Sequence, residues 1–560
     1  MELISLKNLE GISKALIILL LTILIVMPAA IIILTSIYPD SKLDICAPFL
    51  ILSDGEIKKV FINTILLGFL VVIMSTVFAM PLAMIMVKTS IRKHKRLEVI
   101  FMIPFMTPPY IGAMGWILFM QPNGYYDEFI NLPINLNEHF FSLSGMVIIM
   151  SLQTFPFLYL ILKNALIKIG GSREEAAYIH GGKSFYTFRR VVLPLLLSSY
   201  ALGALLVFIK AIAEFGTPAT FGRKIGFFVL TTEIHQYISS WPIDFSKATS
   251  VASMLLTICL GIWYVSSLVN RRYSYNLVSG KGMREKVYKL KFWQNLLAWS
   301  YVIGIFVISI GVTYFSILAA SIMKLRSGGI SISNFTFEYY TKLLSFDSQG
   351  MEALLNTLVL SIAATCICAI LGTVLAISIN KSKKLSEKII DLFTILPNTI
   401  PGIVMVVGLI LFWNSSWMAI PIYNTYGMVI LTYVVLFLPY TVQYVKASYV
   451  QLDESLFNAG KVLGGSRIYV LRRIIVPLLI PGILAGWMMT FMISIRELVA
   501  PLMILPPSMS TASTYIYAQF EQGNLSLGMA MAVICVIITL IMLITINKVS
   551  DMLKLGGTIQ

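Results

Sequence analysis

The segment from Ala177 to Ser184 has the residue types of a phosphate-binding loop, because two glycines are followed directly by Lys183 and Ser184. Such a loop holds phosphate only between a buried strand and a helix of a soluble α/β domain. Here a long apolar run comes before the segment and an amphipathic stretch follows it, and the other loops leave no room for a nucleotide-binding domain. We therefore expect that the chain does not bind ATP itself.

The residue types that most often hold metals or act as nucleophiles are scattered. Four of the five cysteines lie in apolar runs, none belongs to a Cys-x-x-Cys pair, and the four histidines are isolated from one another. Neither set has the spacing of a metal site or of a disulfide framework. The sequence therefore predicts no catalytic residue, no metal site and no cofactor, and it disfavours a membrane-embedded enzyme.

Two glutamates, Glu214 and Glu497, occupy matched positions roughly 20 residues after a proline-led helix begins, which is about 30 Å along a helix and near the far face of a bilayer. One interpretation places both on a translocation path, with Lys210 one turn earlier as a path residue or as an ion-pair partner of Glu214. The other interpretation is that each carboxylate caps the outside loop that begins beside Pro218 or Pro501. The sequence leaves both open.

The composition of the whole chain places these residues in a lipid bilayer. Hydrophobic residues make up 58% of the 560 residues, charged residues make up 12%, and the mean hydropathy is +0.86. These values exclude a disordered chain and a soluble enzyme. Twelve apolar runs are long enough to span a membrane, and they must be helical because backbone groups in lipid pair within their own segment. The predicted fold class is an all-α polytopic membrane protein with 12 transmembrane helices.

The distribution of charge predicts the orientation of these helices. If the loops alternate from a cytoplasmic N-terminus, the inside loops hold most of the Lys and Arg residues and the outside loops hold most of the Asp and Glu residues. This bias follows the positive-inside rule, so both termini are predicted to be cytoplasmic. The net charge of +16 is then largely a topology signal, and no nucleic-acid partner is expected.

The twelve predicted helices form two copies of six. Residues that interrupt or punctuate the helices recur in register: Asn63-Thr64 with Asn356-Thr357, Lys88 with Lys381, Gly115 with Gly408, Gly181 with Gly464, Arg189-Arg190 with Arg472-Arg473, and Glu214 with Glu497. Because six is even, the copies are parallel and related by a pseudo-two-fold axis along the membrane normal. We predict a first repeat at residues 1–270, a cytoplasmic linker at 271–292 and a second repeat at 293–560.

Prolines lie inside the third predicted helix of each copy. They are Pro104 and Pro108-Pro109 in the run 97–120, and Pro397 and Pro401 in the run 389–413. Proline removes a backbone donor and kinks a helix. The kink either surrounds a transport path or only adjusts the shape of the helix.

The loop between the fourth and fifth helices of each copy has the pattern of a helix–turn–helix. Gly181 in the first loop and Gly464 in the second supply a left-handed turn residue, and Pro194 or Pro477 suits the first turn of the next span. Both loops are predicted to be cytoplasmic, and two copies around a pseudo-two-fold axis suit a partner with two equivalent sockets.

The first loop resembles the Glu-Ala-Ala loop of ABC-importer membrane subunits. The family pattern is Glu-Ala-Ala, three residues, Gly, nine residues, and then an aliphatic residue before Leu-Pro. The matching residues are Glu175, Ala176, Ala177, Gly181 and Pro194 in the first loop, and Ala459, Gly464 and Pro477 in the second. The second loop departs from the pattern, with Asn458 in place of Glu and Gly460 in place of Ala. The resemblance covers both copies, essentially the whole chain.

This resemblance implies a type I importer in which each loop forms a coupling helix in a groove of an ATP-binding subunit. A homodimeric ATPase would dock at the cytoplasmic face, and an extracytoplasmic substrate-binding protein would deliver cargo. The expected location is the bacterial cytoplasmic membrane. Glu175 would contact the ATPase, and Asn458 removes one charge from the second contact, so the two halves would couple with different strength.

Fused two-copy permeases of this length are most similar to the ferric-iron type, with 2-aminoethylphosphonate, thiamine, sulfate and polyamine permeases as the alternatives. The segments that carry this similarity are Arg496-Glu497-Leu498 with Pro501, Glu214 to Pro218, and Phe335 to Tyr340. A second functional class, the ion-coupled secondary transporter, requires acidic residues in the middle of a span. No Asp or Glu lies well inside a predicted span, so the ATP-driven importer is favoured.

Overall fold

The computed structural model describes residues 2–38, 43–94, 96–129, 136–169, 171–273, 287–325, 328–379, 384–418 and 422–556. Within these ranges the regular structure is helical, apart from two isolated bridges that join Thr89 to Tyr288 and Met323 to Phe335. The predicted all-α membrane fold is confirmed.

Both halves of the chain contribute the same order of helices, which we label in chain order. The first half contributes α1 (Gly11–Ile37), α2 (Gly55–Lys88), α3 (Arg96–Met106), α4 (Pro109–Met120), α5 (Leu143–Ile169), α6 (Gly171–Ile179), α7 (Phe188–Ala213), α8 (Leu230–Ser239) and α9 (Phe245–Tyr273). The second half contributes α10 (Phe292–Ile322), α11 (Gln349–Ser378), α12 (Leu385–Asn398), α13 (Gly402–Trp413), α14 (Tyr426–Val450), α15 (Glu454–Val462), α16 (Ile468–Ser494), α17 (Ala512–Glu521) and α18 (Leu525–Gly556).

The described helices provide ten to twelve membrane spans. Ten are long and apolar enough to cross a bilayer alone, and the bent pairs α3–α4 and α12–α13 raise the number to twelve if each pair is one span. These two pairs are the third predicted helix of each half. The predicted number of twelve therefore holds only when each bent pair is counted as a single span.

The third span of each half is broken rather than kinked. The axes of α3 and α4 meet at 93°, and those of α12 and α13 meet at 110°. The break falls at Pro108 or at Pro401, whose ψ angles are 131° and 137°. Proline donates no backbone N–H and pushes the residue before it out of the helical region, and Thr107 accordingly has a ψ angle of 131°. The change of direction is larger than the kink that the sequence predicted.

The described helices form two compact units, and each unit combines helices from both halves of the chain. Unit A comprises residues 48–335, and unit B comprises residues 1–47 and 336–560. The first helix of each half therefore packs in the unit that is built mainly from the other half. In unit A, α10 packs on α4, and in unit B, α1 packs on α13.

Two of the repeated glycines explain how these first helices pack. A Cβ atom at Gly115 of α4 would lie 3.0 Å from the carbonyl oxygen of Thr313 in α10. A Cβ atom at Gly408 of α13 would collide with the carbonyl oxygen of Pro28 in α1. Only glycine permits so close an approach of two backbones. The matched glycines of the sequence are thus the points at which the exchanged helices cross.

Candidate functional site

The first predicted coupling loop begins with α6, which ends in a left-handed glycine turn. Gly181 has a φ angle of +82°. The backbone N–H of Gly182 donates to the carbonyl oxygen of Ala177 at 2.8 Å, and that of Gly181 donates to Tyr178 at 2.9 Å. These two bonds are the Schellman arrangement that closes a helix end. The predicted left-handed turn is present at Gly181.

The second loop ends α15 in the same way. Gly464 also has a φ angle of +82°, and the backbone N–H of Gly465 donates to the carbonyl oxygen of Gly460 at 3.0 Å. Gly460 departs from the family pattern, and the structure gives a reason. It is buried, and a Cβ atom there would lie 2.8 Å from the Val470 side chain. Space against Val470 therefore favours glycine at this position.

A π-helical turn follows each glycine turn and leads into the next span. These turns cover Phe188–Val192 and Leu471–Ile475. Pro194 and Pro477 lie at the second α-helical position after them. A π-type turn widens the helix locally, which accommodates a residue that has no N–H to donate. The helix that starts in the loop thus continues into α7 or α16 without a break.

The two loops present matched exposed surfaces. Glu175 and Ala176 are exposed in the first loop, and Asn458 and Ala459 are exposed in the second, whereas Ala177 is half-buried. Large apolar side chains are exposed beside them, with Ile179 at 83% and Val462 at 85% of full exposure. The other exposed apolar and aromatic side chains of the loops are Tyr186, Leu463, Ile468 and Tyr469. Large apolar residues exposed in matched places mark an interaction surface on each loop.

Glu174, the residue before Glu175, turns into unit A and forms a buried ion pair with Lys88 at the end of α2. The other carboxylate oxygen accepts a hydrogen bond of 2.8 Å from the Tyr288 hydroxyl. The Tyr288 oxygen also lies 3.2 Å from that of Tyr178. Because the Tyr288 proton is committed to Glu174, Tyr178 is the donor in this second bond. Burial and the hydrogen bonds with Tyr178 and Glu174 raise the pKa of Tyr288, so the phenol stays protonated.

One further ionic contact occurs at matched positions in both units. Lys163 of α5 lies 2.5 Å from Glu98 of α3, and Lys446 of α14 lies 2.5 Å from Asp391 of α12. Each contact fastens the helix that enters a coupling loop to the bent span of its own unit. The pairs are partly exposed, so the stability that each adds is modest, about 1 kcal/mol or less.

At the opposite end of α7 and α16, Glu214 and Glu497 cap the turns that follow. The Glu214 carboxylate accepts from the backbone N–H of Thr217 at 3.0 and 3.1 Å, and the Glu497 carboxylate accepts from Val499 and Ala500 at 3.0 and 3.3 Å. Both carboxylates therefore have the hydrogen bonds that the capping interpretation predicts. Burial raises the pKa of Glu214 to about 7, against the opposing effect of the Thr217 hydrogen bonds, and burial also raises the pKa of Glu497.

Lys210 does not form the ion pair with Glu214 that their spacing allowed. Both side chains are half-buried, and the Glu214 carboxylate is directed to the backbone of its own turn instead. The backbone carbonyl oxygen of Glu214 accepts a hydrogen bond from the Thr231 hydroxyl at 2.9 Å. The backbone carbonyl oxygen of Glu497 accepts one from the Ser513 hydroxyl at 2.5 Å. Each glutamate thus joins the end of a span to the helix that follows the capped turn.

The repeated Asn-Thr pairs hold these helices on the second span. The Thr64 hydroxyl accepts from the backbone N–H of Leu230 at 2.9 Å, and the Thr357 hydroxyl accepts from that of Ala512 at 2.7 Å. The side-chain amides of Asn63 and Asn356 donate to the carbonyl oxygens of Phe228 and Ser510 at 3.2 and 3.1 Å. These bonds pin the first residues of α8 to α2 and those of α17 to α11.

No cluster of three or more His, Cys, Asp or Glu side chains in the described part of the chain is arranged to hold a metal ion. The helix Gly171–Ile179 leads into the phosphate-loop-like segment and includes its first three residues, so no strand comes directly before that segment. The polar contacts described above therefore hold helices together at the loops and turns.

Part of the chain is similar to a known protein family. Residues 369–553 match the model of the family described as "Binding-protein-dependent transport system inner membrane component". They include α15, its glycine turn and the capped turn at Glu497. The chain is similar to this permease family over these residues.

The chain is similar over most of its length to ferric transport system permeases. It is 28% identical over 531 residues to the protein FbpB of Actinobacillus pleuropneumoniae, which covers 93% of this chain and 75% of that protein. It is 29% identical over 512 residues to the putative FbpB 1 of Haemophilus influenzae, covering 90% and 78%. A putative 2-aminoethylphosphonate transport system permease, PhnV of Salmonella typhi, is 24% identical over 238 residues, which is 42% of this chain and 89% of that protein.

Sequence reasoning missed two features of the chain. Glu174 is adjacent to Glu175, and nothing in the sequence distinguished the buried carboxylate from the exposed one. Asn63 and Thr64 were recognised only as repeat markers. The sequence does show a doublet of glutamates in the first case and a repeated Asn-Thr pair in the second, each beside an apolar run. The residues that these side chains contact lie far along the chain, so the sequence does not identify them.

Proposed function

We propose that this chain is the permease, the membrane-spanning subunit, of an ATP-driven importer and that a separate homodimeric ATP-binding subunit docks at its cytoplasmic face. The observation that carries the proposal is the pair of exposed loops, each a short helix closed by a glycine with a φ angle of +82°. Two equivalent loops match a partner that offers two equivalent grooves. An external substrate-binding protein delivers the cargo at the opposite face.

The proposed orientation places both termini and both coupling loops in the cytoplasm. The excess of Lys and Arg in this set of loops supports it. Within the loops, Glu175, Ala176, Ala177, Gly181 and Pro194 form the first coupling element, and Asn458, Ala459, Gly464 and Pro477 form the second. The exposed Glu175 has Asn458 as its counterpart, so the second contact lacks one charge.

For the path through the membrane, we assign Glu214 and Glu497 to the outer end, where each fixes the turn after α7 or α16. Lys210 is the ionisable side chain that precedes Glu214 in α7, and we assign it to the path as well. The capping bonds support a role for the two glutamates in holding the outer turn rather than in binding cargo.

The cargo proposed is ferric iron. The names of the relatives that match most of the chain support this choice, and 2-aminoethylphosphonate, thiamine, sulfate and polyamines are the alternatives. Uptake of radioactive ferric iron by cells that carry the complete transporter, compared with cells that lack the permease, tests the cargo. Loss of uptake without the permease is expected. Normal iron uptake together with lost uptake of an alternative cargo contradicts it.

Purification of the tagged chain from its native membrane in mild detergent, followed by mass spectrometry, tests the machinery. Two copies of an ATP-binding subunit per chain are expected. A chain that purifies alone and transports in vesicles without ATP contradicts the proposal and establishes an ion-coupled secondary transporter.

A further inference from the structure

The end of the linker between the two halves is fastened to unit A beside the first coupling loop. The backbone N–H of Tyr288 donates to the carbonyl oxygen of Lys88 at 2.7 Å, and Tyr288 forms a bridge with Thr89. Tyr288 precedes α10 by only a few residues. The chain that leads into the second half therefore passes against the last residue of α2 before it enters the membrane.

Three separate segments meet at the Glu174 carboxylate. One oxygen pairs with Lys88 of α2, and the other accepts from Tyr288 of the linker, while Glu174 itself belongs to α6. The Lys88 and Glu174 side chains are only 3% and 1% exposed. Charges so deeply buried persist only when they are paired and hydrogen-bonded, so this contact holds in one geometry.

We propose that Lys88, Glu174 and Tyr288 form a latch that makes the linker end part of the first coupling element. The latch fixes α6 to the end of α2, so that a push on the exposed Glu175 and Ile179 moves α2 and α6 as one body. Glu174 and Tyr288 are positioning residues in this scheme, because they touch neither nucleotide nor cargo. The proposal rests on the function proposed above, in which α6 contacts an ATP-binding subunit.

The second coupling loop lacks the same latch. Phe457 occupies the position of Glu174, and a phenyl ring cannot accept the ion pair or the tyrosine hydrogen bond. The lysine matched to Lys88 is Lys381, which lies outside the described residues. The two coupling loops are therefore held by different chemistry, and the first is held by a buried charge pair.

Tyr288→Phe is the variant that tests the latch with the least disturbance, because it keeps the Lys88–Glu174 ion pair and removes only the hydroxyl. Tyr301→Phe is the matched control. The Tyr301 hydroxyl donates to the carbonyl oxygens of Val77 and Phe78 in the same helix α2, away from the loop. Both variants are compared as full-length permease in lipid nanodiscs and as the complete transporter.

The first measurement is hydrogen exchange of the permease alone. In Tyr288→Phe, amides of Gly171–Ile179 are expected to exchange about tenfold faster, whereas those of Glu454–Val462 and the Tyr301→Phe control stay unchanged. Unchanged exchange of Gly171–Ile179 overturns the latch. This result does not depend on any partner, so it separates the latch from the proposed function.

The second measurement is the ratio of ferric iron delivered to ATP hydrolysed, in vesicles with the ATPase and the iron-loaded binding protein. Tyr288→Phe is expected to lower this ratio about fivefold while the ATPase still co-purifies, which lies within the usual range of coupling between sites. A purely structural role would lower the yield of protein and leave the ratio unchanged, and that result overturns the proposal. A wild-type permease that binds no ATPase overturns the proposed function and leaves the exchange result standing.

Glu174→Gln tests the ion pair itself, because it leaves the Lys88 charge buried without a counter-charge. Its exchange and ratio are expected to change more than those of Tyr288→Phe. The double variant Lys88→Met with Glu174→Gln removes both charges. The yield of folded protein is expected to be higher for the double variant than for Glu174→Gln. The ratio of ferric iron delivered to ATP hydrolysed is expected to stay low, and recovery of the full ratio overturns the latch.

Discussion

Gly181 and Gly464 have the same φ angle of +82°, although the loops that contain them differ at most neighbouring positions. Each glycine follows a short helix and is followed by a second glycine whose N–H closes that helix. A left-handed residue at this point sets the angle between the coupling helix and the chain that returns to the membrane. The conformation of the turn is thus common to both loops, while the surface that each presents is not.

Substitution of Gly181 tests this turn. Proline cannot adopt a φ angle of +82°, so we expect Gly181→Pro to abolish cargo transport driven by ATP without preventing membrane insertion. Alanine has room, since no atom lies within 4 Å of its Cβ position, and Gly181→Ala should cost only about 1 kcal/mol of local stability. Transport assays on variants of equal membrane abundance measure both effects.

Gly226→Ala is the control for the turn. Gly226 also has a positive φ angle, +66°, and open space around its Cβ position, but it lies in the segment between α7 and α8. We expect the same small loss of stability with normal coupling. Normal uptake by a well-expressed Gly181→Pro variant would falsify the coupling role.

The exposed residues of the two loops predict opposite effects of charge. Glu175→Gln should weaken ATPase binding by about fivefold, and Asn458→Glu should strengthen it, because a charge-assisted contact is stronger than a neutral one. Both side chains are exposed, so folding should not change. The amount of ATPase that co-purifies at increasing salt measures the contact. Glu56→Gln, an exposed glutamate at the start of α2, serves as control, and equal retention in all variants contradicts the assignment.

The hydrogen bonds that Thr64 and Thr357 accept from the first residues of α8 and α17 predict a loss of stability when they are removed. Thr64→Val leaves the backbone N–H of Leu230 without its acceptor, and Thr357→Val does the same to Ala512. A buried N–H without a partner costs about 1–3 kcal/mol. We expect both variants to unfold in detergent at a temperature several degrees lower. Thr35→Val, at an exposed threonine bonded only within its own helix, should change little, and equal shifts in all three variants speak against the two bonds from Leu230 and Ala512.

The raised pKa of Glu214 predicts how stability depends on pH. Burial raises this pKa from 4.5 to about 7, so the folded protein keeps a proton that the unfolded chain releases. The stability due to that proton is present at low pH and is lost as the pH rises toward 7. Glu214→Gln cannot ionise and keeps one acceptor for Thr217. Its unfolding temperature should therefore rise relative to wild type between pH 5 and pH 8, and a difference that is constant or falls contradicts the burial effect.

Much of this structure follows from local sequence signals. The apolar runs predicted the spans, and the glycines at positions 181 and 464 predicted the left-handed turns, because helix length and turn conformation depend on neighbouring residues. The prolines predicted where the third span changes direction but not by how much. The angles of 93° and 110° depend on what packs around each break, which the proline itself does not determine.

Long-range contacts were beyond this reasoning. Nothing in the doublet Glu174-Glu175 indicates that the first carboxylate meets Lys88 and Tyr288, since both partners lie far along the chain. The capping of Thr217 by Glu214 was one of two interpretations, and only the placement of the turn selects the capping geometry. The sequence also did not predict that α1 packs in unit B and α10 in unit A. The glycines at the crossings indicate that another backbone comes close, but they do not indicate which helix it belongs to.

The exchange of first helices has a consequence for how the protein is made. α1 leaves the ribosome before the other labelled helices, yet it packs on α13, which is synthesised only after unit A is complete. During synthesis α1 must wait in the lipid without this neighbour, and α13 must find it there. The same exchange means that a polypeptide cut within the linker yields two fragments, each of which lacks a helix that only the other fragment supplies.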